Sequence, residues 1–384
     1  MREMRADVRA GSGLEAKRGV AGLSLAAAVL GGMLPGVVSA AGSVSMAEVK
    51  PAPMLLAQAG GASARPSAAV IQAELEALIK AAKAEGELTF YSTATENVAK
   101  RAGDAFTAKY GIKTAFIRMG GTQMRQRYSS EAEAGNVVAD LMLNAGGNTV
   151  AYAEEHIKKG VADAISQAGL PVIRSGEFPA RFITGPTAII QIAPWLITYN
   201  TDKVKGEDIP KDWNGLLNPK FKGQILIPNP ASSDSYIDLW VALLDKYGEN
   251  FYAQLRAQAP RQYPSGVPAV QALGAGEGAM AVPAVPALVT GIAAKGAPLA
   301  MAPMEFTTGV EMQVMLSSRA KSKRPNAGRL FANYLMTPEG NQVFNNDPGG
   351  VTMYDTSRLP RQYESPKANA LARRDLVTKL LGMQ

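Results

Sequence analysis

Cysteine is absent from the 384 residues, and histidine occurs once, at position 156. Without thiols there are no disulfides, no thiolate nucleophile, no Cys-ligated zinc and no iron–sulfur cluster. One imidazole rules out multi-His metal sites and leaves at most one His-based catalytic centre. The excess of one charge sign over the other is also small. Against 33 acidic residues stand 40 Lys and Arg, a net +7, without the clustered basic residues of a nucleic-acid footprint. Neither G-x-x-x-x-G-K nor H-E-x-x-H occurs, and Gly274-Ala-Gly276-Glu-Gly278 has the wrong spacing for a nucleotide loop and precedes a strand. His156 lies in Ala-Glu-Glu-His-Ile-Lys-Lys-Gly and reads as a solvated residue near a helix C-terminus. The pairs Glu131/Glu133 and Glu154/Glu155 read as solvated helix faces. No catalytic residue, metal site or cofactor motif emerges.

What is present begins with a leader-like segment. Arg2, Arg5, Arg9, Lys17 and Arg18 precede the uncharged run Val20–Leu34, and Val38-Ser39-Ala40 has the small-x-small form of a cleavage site. As a helix that run reaches ~22 Å, short of a ~30 Å hydrocarbon core. Residues 1–40 therefore read as an export signal, with Ala57-Gln58-Ala59 a second place for cleavage. Loss of 1–40 removes five basic and three acidic residues, so the mature chain is two charges less positive. No later segment is apolar and long enough to span a bilayer, and no Cys is available for a lipid anchor. Both point to a soluble, unanchored protein in the periplasm of a double-membraned bacterium.

Residues 41–66 are Ala, Gly, Ser and Pro with few charges and read as a disordered linker. From Ser67 onward the pattern is regular. A helix with Ile71, Leu75, Leu78 and Ala82 on one face ends at Gly86. Three strand–loop–helix units follow, with strands at Glu87–Tyr91, Lys113–Arg118 and Ala139–Leu143. Their spacing is that of a parallel, doubly wound sheet, whose ligands sit at the carboxyl ends of the strands. The three loops supply Ser92, Thr93 and Thr95, then Gly121 and Thr122, then Asn144. Each opens a helix, whose first turn offers unpaired N–H groups.

A second half begins near Gln191. Ile192–Asn200 reads as one long strand, Gln224–Ile227 as another, followed by a hydroxyl-rich loop with Ser232 and Ser233 and a helix through Trp240 to Tyr247. A turn at Ser265-Gly266 precedes a further helix, and Ala279–Val282 is an apolar strand. Met301–Met315 looks extended around Thr307-Thr308-Gly309, and the end is helical, with Thr337-Pro338-Glu339 as a cap. The ordered length exceeds what one core usually holds, so two lobes are expected.

Several stretches together resemble a known family. They are Glu85-Gly-Glu-Leu-Thr-Phe-Tyr-Ser92, Ala139-Asp140-Leu, Trp195-Leu-Ile-Thr-Tyr-Asn200, Pro210 to Gly223, Asn229-Pro-Ala-Ser-Ser233, Gly276-Glu-Gly and Ala332 to Gly340. In this order, from about Glu85 to Phe344, they are similar to the bacterial extracellular solute-binding proteins that feed ABC importers, in the branch containing the periplasmic ferric-iron-binding proteins. The resemblance implies an α/β, two-lobed type II periplasmic binding fold with a ligand cleft between doubly wound sheets. It implies lobe 1 from 67–192 and 304–350, lobe 2 from 193–303, and a C-terminal segment, 351–384, packed on lobe 2. It also implies two extended crossings, near Gln191–Asn200 and Met301–Thr308, closure by a hinge at Trp195, Tyr199 and Thr307, and docking of a monomer on an inner-membrane permease.

The departures from the iron-binding pattern bear on the ligand. Where those members hold a His or another ligand stands Thr95. Where an acidic ligand is expected stand Asn144-Ala145-Gly146, and where two tyrosines are expected stand Val282-Pro-Ala-Val-Pro286. Ferric iron wants hard anionic oxygens, and these positions offer none. Ser232 and Ser233, where the family holds a synergistic anion, are retained. The expectation is a carrier for a small anionic or oxygen-rich solute, held by Ser92, Thr93, Thr95, Gly121, Thr122, Asn144, Ser232, Ser233 and Ser265, with Arg118 as an anion clamp and neither metal nor cofactor. Iron carried as a chelate and an exported enzyme on the same lobes are the alternative readings.

Overall fold

A computed structural model describes residues 65–347 and 350–383. The expected export signal, and the expected linker apart from its last two residues, lie outside the described residues. Ser67 caps helix α1 (Ala68–Glu85) and Gly86 ends it in the left-handed conformation. Then come β1 (Glu87–Ser92), α2 (Glu96–Tyr110), β2 (Lys113–Arg118), α3 (Gly121–Glu133), β3 (Leu141–Ala145) and α4 (Thr149–Lys158). The short β4 (Ala162–Asp163) and α5 (Pro171–Arg174) lead to β5 (Ala188–Pro194).

The next stretch holds β6 (Leu196–Asn200), β7 (Ile225–Pro228), α6 (Asp234–Ala257), β8 (Arg261–Tyr263), α7 (Gly266–Gly274), β9 (Met280–Ala284), α8 (Pro286–Ala293) and β10 (Leu299–Met301). The chain returns through β11 (Phe306–Thr307) and β12 (Gly309–Ser317) to α9 (Pro325–Met336) and α10 (Pro338–Phe344), and finishes with β13 (Gln362–Tyr363) and α11 (Arg374–Leu381). Among the described residues no helix is long and apolar enough to cross a membrane.

The first sheet has the order β2-β1-β3-β12-β4, with β5 also on β12. Only β2, β1 and β3 run parallel, as the three repeated units predict; β12 is antiparallel to β3, β4 and β5. Alternation along the strands buries both faces. Phe90 and Leu143 enter one core with Phe106 and Phe331, and Tyr91 and Met142 enter the opposite one with Tyr128 and Met315. The second sheet, β10-β6-β9-β7-β8, repeats the device: Ile225 and Ile227 face Trp213 and Trp240, while Leu226 faces Leu273. The C-terminal segment, expected to pack on lobe 2 throughout, divides: Val351 bridges to Ile192 and Met353 enters the first core, whereas Ala370, Val377 and Leu381 enter the core under Trp240, beside α6.

The strand expected over Ile192–Asn200 is two strands. Pro194 pairs with Gly309 in the first sheet and Leu196 with Ala284 in the second, so the chain changes sheets at Trp195. A proline N lacks the hydrogen that would extend a ladder. The return crossing is tied to this one: Trp195 N donates to the Thr308 carbonyl (3.0 Å) and Thr307 Oγ1 donates to the Trp195 carbonyl (2.7 Å). Gly309 permits the approach, because a Cβ there would lie 2.6 Å from the Ala193 oxygen. Thr307 is fully buried, so Thr307→Val should lower the unfolding free energy by ~1 kcal/mol in urea melts, with no change in the slope against denaturant.

His156 is not solvated. It is buried with Thr149 and Ala153 on one face of α4, its Nδ1 2.9 Å from the Tyr152 carbonyl and its Nε2 3.2 Å from Ser129 Oγ. The spacing of these residues, four and three apart, outweighs the charged flanks. Glu131 likewise leaves the solvated class, accepting from the Tyr91 hydroxyl (2.5 Å), Arg127 Nε (2.9 Å) and Val138 N (3.1 Å).

Candidate functional site

The polar loops converge on a cavity of about 420 Å³ between the two sheets. Thr93 enters after β1, Arg118 to Gln123 after β2, Ala145 at the end of β3, and Ser232 to Tyr236 between β7 and α6. Trp195 from the crossing and Val310 and Met312 from β12 complete the wall. This is where α/β sheets hold ligands, and four loops from two sheets meet here because all four leave the carboxyl ends of their strands.

Of the residues expected to bind, Thr93, Gly121, Thr122, Ser232 and Ser233 line this cavity, as does Arg118. Arg118 Nε donates to the Ala94 carbonyl at 3.1 Å, which fixes the guanidinium while leaving its outer N–H groups at the cavity. Among the described residues no carboxylate pairs with it. Ser233 stands at the N-cap of α6 without capping a backbone group there, so its hydroxyl is available to a ligand. Ser232 is committed in part, donating to the Asn229 carbonyl (2.7 Å).

Four expected residues fall outside. Ser92 is fully buried and accepts from Ala94 N (3.1 Å), turning the chain out of β1. Asn144 is buried and donates to Thr149 Oγ1 (3.0 Å), and the Gly121 Cα lies over it. Ser265 stands at the N-cap position of α7, outside this lining, although the next N–H, of Gly266, donates to the Tyr236 hydroxyl (3.1 Å). Thr95 opens α2 and lines a second chamber of about 200 Å³, which shares Thr93, Val310 and Met312 with the first. Of the hinge residues, Trp195 and Thr307 lie at the crossing, whereas Tyr199 sits inside β6 and the second core. Trp195 is also a cavity residue, its ring 5.3 Å from that of Tyr236.

Sequence reasoning missed the acids at the start of α6. Asp234 lines the cavity and is clamped by Arg125 (2.5 Å) from α3 and by Arg374 from α11. Asp238, one turn on, accepts from the Gly147 N–H at 3.1 Å. That loop can approach only as glycine, since a Cβ on Gly147 would lie 2.8 Å from the Lys367 oxygen and 3.0 Å from Asp238 Oδ1. Burial pushes the Asp238 carboxyl up to about 7, and nearby Asp234 and Glu311 act in the same direction. Glu311 is itself raised by burial, and it accepts from the Tyr363 hydroxyl (2.8 Å). The spacing of 234 and 238, one helical turn, was visible in Asp234-Ser-Tyr-Ile-Asp238; what it packed against was not.

Arg118, the hydroxyls and the helix starts can hold an anion or a polyol by directional hydrogen bonds. Among the described residues no three of His, Asp and Glu come together as a metal cage.

Comparison with known proteins agrees with this geometry. Residues 136–370, more than half of the chain, match the family of bacterial extracellular solute-binding proteins. An uncharacterised protein of Haemophilus influenzae is 24% identical over 287 residues, 72% of this chain and 80% of the relative. The fructose-6-phosphate-bound periplasmic binding protein AfuA of Actinobacillus pleuropneumoniae superposes with a TM-score of 0.59 at 20% identity, over 78% of this chain and 99% of that one. Iron-bound HitA of Pseudomonas aeruginosa superposes with a TM-score of 0.61 at 18% identity, over 77% and 98%. At these identities the two structures speak for the fold alone. The chain therefore belongs to the bacterial extracellular solute-binding proteins, the solute-capturing components of ABC transporters, on the two-lobed type II periplasmic binding fold.

Proposed function

We propose that this protein is the periplasmic carrier of an ABC importer for a small anionic or oxygen-rich solute, a carboxylate, phosphonate or sugar phosphate, which it captures by lobe closure and delivers to an inner-membrane permease. The observation that carries the reading is Arg118, fixed by the Ala94 carbonyl and facing a cavity ringed by Thr93, Thr122, Ser232 and Ser233. A cavity of about 420 Å³ suits a small metabolite. Asp234 does not reverse the local charge, since Arg125 and Arg374 both hold it.

The chelated-iron reading has less support: Val285, Pro286 and Ala287 follow β9 at the cleft, and Tyr236 in the larger cavity has its hydroxyl on the Gly266 N–H and is held in the phenol form by burial. An enzyme on the same lobes, which would need His156 or a carboxylate at the cleft, also has less support: His156 lines neither chamber, and the carboxylates that do are paired, Asp234 with Arg125 and Arg374 and Asp347 with Arg101. The fructose 6-phosphate named for AfuA makes that sugar phosphate a natural first probe. Thermal unfolding with millimolar sugar phosphates, phosphonates and dicarboxylates should show one that stabilises by ~2.7–4 kcal/mol at 100- to 1,000-fold over Kd. Stabilisation by cations or neutral compounds and by no anion would overturn the reading.

A further inference from the structure

The two chambers differ in chemistry. The larger holds Arg118, the hydroxyls and the start of α6. The smaller is walled by Val98, Ile192, Val285 and Pro286, and Thr93, Val310 and Met312 line both chambers where they adjoin. Its polar borders are weak attractants for an anion. Asp347 is already paired with Arg101 (3.1 Å), and α8 begins with Pro286, which has no N–H to give; the uncharged Thr93, Gln191 and Thr95, at the start of α2, are the remaining polar groups. The walls come from both halves of the molecule, so whatever fills this chamber is enclosed together with the group held at Arg118.

We infer that the solute is an amphiphilic anion, with a phosphonate, phosphate or carboxylate head at Arg118 and a short alkyl or aryl tail in the chamber between Ile192 and Val285. This rests on the anion reading above and narrows it. A space of about 200 Å³ accommodates roughly six water-sized groups, which sets the tail at about four to six carbons.

Calorimetric titration of the full chain with inorganic phosphate, methyl-, propyl- and pentylphosphonate and fructose 6-phosphate tests it. The expected result is about fourfold tighter binding per added methylene, with pentylphosphonate the tightest of the set. In Val285→Phe, which fills the smaller chamber, the affinity ratio of pentyl- to methylphosphonate should fall towards one. Should that variant fail to fold, the series on the unaltered chain decides alone. Affinity independent of tail length, or fructose 6-phosphate binding more tightly than pentylphosphonate, overturns the amphiphile and leaves the anion carrier standing. No binding of any of the five, nor of hexanoate as the carboxylate with the same tail, overturns both.

Discussion

Replacing Arg118 with Gln should weaken binding of an anionic solute by about ten- to a hundredfold. Hydrogen bonds to a charged group contribute a net ~1.5–3 kcal/mol, and each ~1.4 kcal/mol is a decade in Kd. The size of the effect follows from how the side chain is held. Its Nε is bound to the Ala94 carbonyl at 3.1 Å, so part of the rotamer entropy of this exposed side chain is already given up before the ligand arrives. Gln keeps an NH2 donor group but loses the charge and the guanidinium fork. Titration of the variant and the unaltered chain with the same anion, at low and high salt, checks this. The unaltered chain should show the steeper salt dependence, and equal affinities would remove Arg118 from the site.

The second large effect is expected from Asp238→Asn. The folded carboxyl sits at about 7, well above the ~3.9 of an unfolded chain, so folding favours the protonated form. Below pH ~4 both states carry the proton and the folded form is at no disadvantage. Between ~4 and 7 the unfolded chain ionises while the folded one holds its proton, and stability falls by about 1.4 kcal/mol per unit. Above 7 the loss is complete, on the order of 2–4 kcal/mol. Asn is neutral throughout and keeps an oxygen for the Gly147 N–H. The variant should therefore match the unaltered protein near pH 4 and exceed it at pH 8, measured by urea unfolding at each pH. Any slope it retains over this range has a source in Glu311, whose carboxyl burial also raises. Equal stabilities at pH 8 would refute the assignment. Because Gly147 leaves the first sheet and Asp238 lies on α6 over the second, the same proton also bears on how firmly the halves meet.

Much of the first half was legible because the strand, loop and helix repeat is local. The caps at Ser67 and Gly86, the β1 to α4 succession and the gathering of Thr93, Gly121 and Thr122 all follow from periodicity and from where parallel strands end. Polar loop residues are a poorer guide individually. Ser92 and Asn144 were spent on the backbone turn and on Thr149, uses that composition cannot distinguish from ligand contact. The break at Trp195 was hidden because Ile192–Asn200 alternates as a single strand would, and only the partner ladders reveal two sheets. Val310 and Met312 repeat at the strand period, yet which face meets the cavity depends on β12 lying against β3 and β5. The pairing of Asp234 with Arg125 and Arg374 joins segments remote in sequence, and no local rule reaches it.

The position of β12 carries a consequence for how the molecule assembles. The second sheet takes all its strands from residues 196–301, although Ala370, Val377 and Leu381 later complete the core beneath it. The first lacks its middle until 309–317 exist, since β12 joins β3, with Leu143 opposite Val314, to β4 and β5. That pairing spans roughly 170 residues, and contacts of such separation form slowly because the intervening loop must be ordered first. Val310 and Met312 are cavity walls on that same strand. Binding competence therefore waits on this long-range pairing: a nascent chain ending before residue 309 lacks the strand that joins the first sheet, two walls of the cavity, and the C-terminal residues that cover α6.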